Sequence, residues 1–377
     1  GDIGIRSNID GAGVSVSQAD VDNTIGWSMR LAGYDVAYGG KVHLPNGMDP
    51  ESMGFQYLTD DERDGLANAC ADFISEPREK PFMLIASFIN PHDICYMAIR
   101  DFGGDNFAGI SIGSGLNEIE NSTLDSALEI PEGVSREEFF KTFCPPVPDN
   151  LEPQNDEPEA VRMIVEQRPF KKHAREYWDE EKWRMHRWAY CKLTEMADLQ
   201  IATVLKSLRD TNQEENTLVI FSTDHGDMDG SHRMEHKTAL YEEAIRVPLI
   251  ISWKGITPAE KVDSEHLVSN GLDLVPTLCD FAGVKPPEGL EGRSLRPLVE
   301  GTGFSAWRDM LRVESEFGHM SVDTSYKYVL YDEGDNREQF INLELDPGEN
   351  VNLVNSPDLK DTIDRHRRWL ASRIQST

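Results

Sequence analysis

The sequence comprises 377 residues, of which 39% are hydrophobic and 28% are charged, a composition typical of a globular chain with a buried core. Its 37 Lys and Arg are outnumbered by 67 Asp and Glu, so the formal net charge is −30. This balance argues against nucleic acid and anionic membrane surfaces as partners. No apolar run reaches the ~18 residues of a membrane-spanning helix. The five cysteines form no Cys-x-x-Cys pair, which excludes a zinc ribbon and a thioredoxin motif.

Four segments are predicted to form strands. Residues 82–88, 217–222 and 247–252 are short, continuous apolar runs. Such runs are typical of strands in a parallel sheet that is covered on both faces. A weaker candidate spans residues 34–38, directly after a helix-like segment at residues 24–32. We therefore expect a buried, mainly parallel sheet.

Helical patterns alternate with these strands. Residues 180–208 carry apolar side chains at spacings of three and four, and residues 273–282 form a second amphipathic stretch that ends at Gly283. Strands that alternate with helices predict an α/β fold. Residues 103–168 are rich in Gly, Pro, Asn and acidic residues, and we interpret them as a long, irregular insertion near the sheet edge or over a site.

The C-terminal part has a different pattern. Residues 326–331 alternate like a half-exposed strand, and residues 339–343 are the predicted hairpin partner. A final helix is predicted over residues 358–374. These elements predict an α/β domain over residues 1–303, followed by a small α+β subdomain with an antiparallel sheet over residues 304–377.

Ionisable side chains follow three of the predicted strands. Lys41 and His43 come after the first strand, His92 follows the second, and Asp224 and His225 follow the third. In open α/β sheets, ligands bind outside the carboxyl ends of the strands. Loops that only pack seldom carry so many ionisable groups, so we expect a site at this edge.

The residue types at this edge indicate a reaction. Lysines and histidines neutralise an oxyanion, and a histidine can protonate a leaving oxygen. Asp224 is a hard oxygen ligand of the kind that calcium or magnesium prefers. A metal and several cations around one small anion point to cleavage of a sulfate or phosphate ester.

The chain resembles the type I sulfatases of the alkaline-phosphatase superfamily. The stretches that carry this resemblance occur in the family's order along most of the chain: 32–43 with its Gly-Lys-x-His ending, 222–232, 237–250, 273–278 with 290–295, 326–331, and 342–349. The resemblance implies an alkaline-phosphatase-like fold and the hydrolysis of sulfate esters, with a sulfated saccharide or an aryl sulfate as substrate.

The resemblance also implies roles for individual residues. Lys41 and Lys237 would hold the sulfate oxygens, and His43 would contact the nucleophile or the sulfate. His92 would face the leaving-group oxygen as the acid. Asp224 would bind the metal, Ca²⁺ or Mg²⁺, with His225 as a ligand or close neighbour.

The nucleophile of the resembled family is a formylglycine made from a Cys/Ser-x-Pro-x-Arg motif, and the 377 residues contain no such motif. Residues 144–148 and 75–78 only approximate it. Truncation, a separate chain and a pseudoenzyme that binds sulfated ligands are three explanations, and we favour truncation because the other site residues are present. The first residues lack both a Met and a signal segment, which fits this expectation. We then expect this chain alone to be inactive and poorly stable.

Two other functions compete with sulfate ester hydrolysis. One is a metal-dependent phosphoesterase or phosphonate hydrolase of the same superfamily, and the other is a non-catalytic binder of sulfated glycans. Three further histidines are assigned to packing or substrate contact: we expect loop packing for His232 and His236, and either role for His319. Periplasmic or secreted location is typical of the resembled family.

Overall fold

The computed structural model describes residues 16–103, 117–303 and 306–374. The strands of these residues are β1 Asp35–Gly40, β2 Gln56–Tyr57, β3 Phe82–Ser87, β4 Val219–Ser222, β5 Leu249–Ser252, β6 Leu311–Ser315, β7 Gly318–Val322, β8 Tyr326–Tyr331 and β9 Glu338–Asn342. Their α-helices are α1 Gln18–Asp22, α2 Ile25–Leu31, α3 Leu66–Ser75, α4 Cys95–Phe102, α5 Glu118–Leu128, α6 Arg136–Glu138, α7 Glu159–Glu166, α8 Pro169–Tyr177, α9 Glu180–Asp210, α10 Glu242–Ile245, α11 Asn270–Ala282, α12 Arg296–Glu300 and α13 Lys360–Ile374. None of these helices combines the length and the apolar character that crossing a bilayer requires.

A parallel sheet with the order β2-β1-β3 confirms the predicted α/β class. Strand β1 runs beside β3 over its whole length, so that Asp35 pairs with Phe82 and Gly40 with Ser87. The sequence pattern located β3 and the core of β1, but β1 continues through Gly39 and Gly40. It missed the two-residue strand β2.

The strands β4 and β5 occur where the sequence predicts them, but they are not parallel. They pair with each other in antiparallel register, and Phe221 lies opposite Ile250. Both of these side chains are exposed, so the strands are not covered on both faces as expected. The apolar run identifies a strand, whereas its direction depends on the connection. A parallel pair needs a crossover, usually helical, and the intervening segment has only the short helix α10 and a 3-10 turn, Ser231–Arg233.

Contacts divide the described residues into two units. The first falls within Gly1–Ile89, Ala197–Asp224 and Pro248–Asp309, and the second within Asn90–Met196, His225–Val247 and Met310–Thr377. In the first unit, Met29, Val36 and Phe55 form a core with partly buried residues of β3 and α11. Burial of this apolar surface fixes β1 between its neighbours. The domain boundary near residue 304 stays a prediction.

The second unit shows that the described part of residues 103–168 is largely helical and not irregular as expected, while its status as an insertion stays a prediction. Among the described part of that range, helices α5 and α7 contribute to the core, and Leu124, Phe139 and Val161 are fully buried. Residues 104–116 lie outside the described part. The Gly, Pro and acidic residues belong to the turns and outer faces of short helices, so composition obscured the apolar face that each helix buries.

The C-terminal sheet has the order β6-β7-β8-β9 and is antiparallel throughout. Its hairpin β8–β9 and the helix α13 confirm two predictions, whereas β6 and β7 were missed. Tyr328 and Phe340 on the sheet pack with Ile363 and Leu370 of α13. This apolar contact covers one face of the sheet, which is how antiparallel sheets are commonly stabilised.

Candidate functional site

The Lys41 loop begins where β1 ends. The Lys41 amide donates a hydrogen bond to the Ser87 carbonyl at 2.9 Å. The Tyr38 hydroxyl donates to the Lys41 carbonyl at 2.5 Å, and the Tyr57 hydroxyl donates to the Gly40 carbonyl at 2.9 Å. The backbone on both sides of the Gly40–Lys41 peptide is therefore held by groups that sequence reasoning missed.

Glycine is required at position 40 for two reasons. Its φ is 89°, in the region that side chains disfavour. A Cβ atom there would also lie 2.3 Å from the Ser87 carbonyl oxygen. Gly40 thus allows β1 and β3 to approach each other closely at the carboxyl end, where Lys41 emerges.

Asp224 follows β4 in the first unit, and its position is set by the residue before it. The Asn270 side-chain amide donates to the Thr223 carbonyl at 2.6 Å, and the Thr223 hydroxyl donates to Asp224 Oδ1 at 3.2 Å. The Lys41 ammonium lies 3.9 Å from Asp224 Oδ2. The first unit thus brings Lys41 and Asp224 together, while His43 lies exposed in the same loop.

Two tyrosines near this pair have altered acidity. Burial raises the pKa of Tyr38, and the Asp224 and Glu62 carboxylates raise it further, while a hydrogen bond with Ser87 opposes them. Burial and the nearby Asp60 raise the pKa of Tyr57. Both phenols therefore stay protonated at neutral pH and remain donors to the Lys41 loop.

His92 lies in the second unit, at the start of a 3-10 turn, His92–Ile94, which follows a cis Asn90–Pro91 peptide. Its Nδ1 is 3.9 Å from Asp93 Oδ1 and 3.9 Å from Cys95 Sγ. The Asp93 side chain is fully buried. Burial raises the pKa of the Cys95 thiol to about 12, which the nearby Lys237 partly counteracts. Cys95 is therefore a neutral neighbour of His92.

Residues 225–241 of the second unit form a loop with unusual backbone angles. Six of its residues have positive φ: Asp229, Gly230, His232, Arg233, His236 and Thr238. Only one of them is glycine, and left-handed backbone at other residues is costly. The Met228 amide donates to the His236 carbonyl at 2.8 Å, and the Gly226 amide donates to the Ala244 carbonyl at 2.9 Å. Surrounding contacts therefore impose the shape that presents Lys237.

The pKa of His236 depends on the charged groups around this loop. The residue is partly buried, and desolvation lowers its pKa well below the usual value. Lys171, Lys237, His186 and His92 lower it further. Two predicted site residues, His92 and Lys237, thus lie near His236 in the second unit, where the Glu235 carboxylate also contacts the His236 ring. Lys171 lies near His236 as well.

His232, His225 and His319 occupy different environments. His232 is buried and stacks on Tyr241 with ring centroids 4.3 Å apart, as the predicted packing role requires. His225 Nδ1 lies 2.8 Å from the Gly226 carbonyl oxygen. His319 is partly buried, with its ring nitrogens 3.7 Å from Glu314 and 3.8 Å from Asp332.

The candidate metal ligands fit a hard cation in part. Asp224 supplies a carboxylate at the end of a strand, and its side chain is 65% exposed, so a cation can approach it. No cluster of three or more His, Cys, Asp or Glu side chains suited to a metal occurs within the described residues. The Asp224 carboxylate is therefore suitable for Ca²⁺ or Mg²⁺, whereas the candidate ligands among the described residues do not form a full coordination shell.

Lys171 was missed because residue type and local composition do not distinguish it from Lys172. Both lie in a polar stretch, and only folding shows that Lys171 is buried whereas Lys172 is exposed. Helix periodicity around Phe170 and Ala174, both buried, contained the signal. Tyr38 was part of a predicted strand, yet the bond from its hydroxyl depends on the turn that follows.

Comparisons with known proteins agree with the order of the motifs. The family model described as Sulfatase matches residues 6–284. The model described as N-sulphoglucosamine sulphohydrolase, C-terminal, matches residues 230–376. Together these models account for most of the chain and for both kinds of sheet.

Individual relatives give the same result. A Delta 4,5-hexuronate-2-O-sulfatase of Bacteroides thetaiotaomicron is 30% identical, with 93% of this chain and 71% of the relative covered. An arylsulfatase of Clostridium perfringens is 36% identical over 47% of this chain and 38% of the relative. The solved structure of a 2-O GAG sulfatase is 27% identical, with a TM-score of 0.78, over 100% of this chain and 78% of that one. The chain belongs to the sulfatase family, whose members are sulfuric ester hydrolases.

Proposed function

We propose that the protein containing this chain hydrolyses a sulfate ester on a saccharide, with a 2-O-sulfated hexuronate as the first substrate to test. The observation that carries the proposal is the pairing of Lys41 with Asp224, 3.9 Å apart, after β1 and β4 of the first unit. A lysine beside a metal-type carboxylate suits an anionic ester. The saccharide is suggested by the two relatives whose names specify a 2-O-sulfate.

We assign the ionisable residues to successive needs of the reaction. Lys41 and Lys237 bind the sulfate oxygens, since ammonium groups offset the charge of the ester. His92 donates a proton to the leaving oxygen, because a poor alkoxide leaving group needs a general acid. His43 contacts the nucleophile or the sulfate from its exposed position in the Lys41 loop.

Asp224 and His225 are the residues that would hold a divalent cation, Ca²⁺ or Mg²⁺. When bound, such an ion would draw negative charge from the sulfate oxygens and the nucleophile. Formylglycine is the nucleophile of the family that the chain resembles. The 377 residues contain no Cys/Ser-x-Pro-x-Arg motif, so the proposal concerns the protein in which this chain is accompanied by that nucleophile.

Sulfate release from an unsaturated disaccharide with a 2-O-sulfated uronate tests the proposal. The protein that includes the nucleophile should release sulfate, and Lys41→Ala and His92→Ala should each lower kcat/KM by roughly 100-fold, the scale of one general acid or oxyanion donor. Asp224→Ala or a chelator should abolish turnover, and added Ca²⁺ should restore only the chelated enzyme.

Lys80→Ala is the matched control for Lys41→Ala. Lys80 is a largely exposed lysine, 3.8 Å from Asp35 at the start of β1, so its loss should leave kcat/KM unchanged. Turnover that survives Lys41→Ala and His92→Ala together would refute the assignment. Hydrolysis of a phosphonate monoester in place of the sulfate would favour the phosphoesterase alternative, and saturable binding without turnover would favour the glycan binder.

A further inference from the structure

Lys171 of helix α8 is a buried cation in the second unit. The residue is only 7% exposed, and its ammonium donates a hydrogen bond to the main-chain carbonyl of Lys237 at 3.2 Å. Within the described ranges it forms no ion pair. A buried lysine normally has a carboxylate partner, so a carbonyl alone leaves much of its charge uncompensated.

The charges facing Lys171 come from several segments. Burial lowers its pKa to about 8, with Arg168 and Lys237 lowering it and Asp227 and Glu316 raising it. The Asp227 carboxyl is partly buried, and desolvation raises its pKa. Three cations, Lys171, Arg168 and Lys237, thus face two acids, Asp227 and Glu316, and an anion from outside would balance the excess positive charge.

The carbonyl that Lys171 holds lies in strained backbone. His236 has φ 64° and Thr238 has φ 95°, on either side of Lys237. A β-branched residue at such an angle persists only where its surroundings impose it. The hydrogen bond from Lys171 is one of the contacts that fix this stretch, and it acts on the residue whose side chain we assign to the sulfate.

We propose that Lys171 is a positioning residue for sulfate binding: its ammonium fixes the Lys237 main chain, and its charge adds to that of the Lys237 side chain. The inference rests on the proposed function, because it takes Lys237 to bind sulfate. The inference differs from the proposed function because it can be tested by sulfate binding alone, without catalytic turnover. A purely structural lysine would contribute to folding, whereas a positioning lysine is retained despite the cost of its burial.

Titration of the full chain with inorganic sulfate, followed by calorimetry, tests the proposal. Lys171→Met should weaken sulfate binding about 10-fold, the effect of losing one hydrogen bond from a charged group. Lys171→Arg keeps the charge and a donor, and it should restore most of the affinity. Lys172→Met is the control, because Lys172 is the exposed neighbour on the same helix; it should bind as the parent does.

A double variant separates positioning from a general charge effect. If Lys171 acts through Lys237, Lys171→Met should weaken binding much less in a Lys237→Ala background than in the parent. Thermal unfolding without sulfate gives the second readout. Lys171→Met should melt at the parent temperature or above it, since the substitution removes a buried charge.

The dependence of binding on pH gives an independent check. The parent should lose sulfate affinity as pH rises above the Lys171 pKa, because the neutral amine no longer attracts the anion. Lys171→Arg should lose less over the same interval, since guanidinium stays charged.

Three results would overturn the inference: no sulfate binding by the parent, unchanged affinity in Lys171→Met, or a Lys171→Met variant that loses stability and is not rescued by Arg. Failure of the proposed function looks different. In that case, sulfate binding would follow the pattern above, while the protein that carries the nucleophile would release no sulfate from the disaccharide.

Discussion

At the residue scale, the Lys41 loop, which begins directly after β1, shows how main-chain contacts orient a charged side chain. Lys41 itself is found from the sequence, because it follows a strand. The hydrogen bond from the Tyr38 hydroxyl to the Lys41 carbonyl is not found from the sequence, since a tyrosine in a strand is expected to pack. Burial of Tyr38 beside carboxylates keeps its hydroxyl protonated, as the hydrogen bond requires.

Tyr38→Phe should therefore impair the Lys41 loop without disrupting the core. The ring remains to pack against Phe55, 5.7 Å away between centroids, while the hydrogen bond to the Lys41 carbonyl is lost. We expect kcat/KM for sulfate release to fall about 5-fold, as the loss of one neutral hydrogen bond implies. Tyr34→Phe removes a hydroxyl elsewhere in the same core and serves as the control. Equal effects of both variants would contradict the assignment.

At the element scale, α13 is attached to the C-terminal sheet by polar as well as apolar contacts. The imidazole of His366 is fully buried, with Nδ1 3.0 Å from Ser321 Oγ and Nε2 3.2 Å from Asp323 Oδ2. The amides of Ser325 and Tyr326 donate to the same aspartate. The Asp323 carboxylate thus links helix, strand and turn.

This carboxylate makes the attachment sensitive to acid. Burial alone would raise the pKa of Asp323, but the bonds from His366, Ser325 and Tyr326 lower it to about 2, against an ordinary value of 3.8. The folded state therefore prefers the ionised form, and its stabilisation is complete above pH 3.8 and is lost as pH falls towards 2. The free energy of unfolding, measured by far-UV circular dichroism at a series of pH values, should fall over this interval. In Asp323→Asn the free energy of unfolding should depend less on pH there. A parallel pH profile in that variant would exclude Asp323 as the cause.

Another contact between elements is a buried ion pair. The Lys327 ammonium on β8 contacts the Glu349 carboxylate, and it lies 3.3 Å from Glu242 Oε1 at the start of α10. Glu349 also accepts a hydrogen bond from the Glu242 amide at 2.6 Å. The C-terminal sheet is thereby connected to α10, which follows the loop of residues 225–241 that presents Lys237.

Lys327→Met should destabilise the protein strongly, by ~3–5 kcal/mol, because it leaves a buried carboxylate without its cation. The double variant Lys327→Met with Glu349→Leu should recover most of that loss, since apolar groups of similar size replace both charges. Urea unfolding of the parent, the single and the double variant measures the effect. A double variant no more stable than the single one would show that the pair does not act as a unit.

At the scale of the whole molecule, the sequence predicted the α/β class, the main helices and the family. Those features depend on periodicity and motif order, which are local. Strand direction was wrong for β4 and β5, because it depends on a connection rather than on the strands. Helices such as α5 and α7 were missed where acidic and turn residues masked a narrow apolar face.

The candidate site likewise contains residues that the sequence identifies and residues that only the folded structure identifies. Lys41 and Asp224 were identified from their places after strands, and the structure shows their proximity. The groups that hold them, such as Asn270 behind Thr223, are distant in sequence and carry no motif. Lys171 illustrates the same limit, because burial of one lysine beside an exposed one appears only when the helix packs.

The left-handed residues between Asp229 and Thr238 have one more consequence. Apart from Gly230, each of them adopts an angle that an isolated peptide of the same sequence disfavours, so this segment has little intrinsic tendency towards its folded form. The conformation of the segment is determined by the residues packed around it and is kept only where those residues are kept. Transplanting residues 225–247 into another scaffold would transfer the amino-acid sequence without the conformation. Conversely, changes in the surrounding packing can reshape the loop with no substitution inside it.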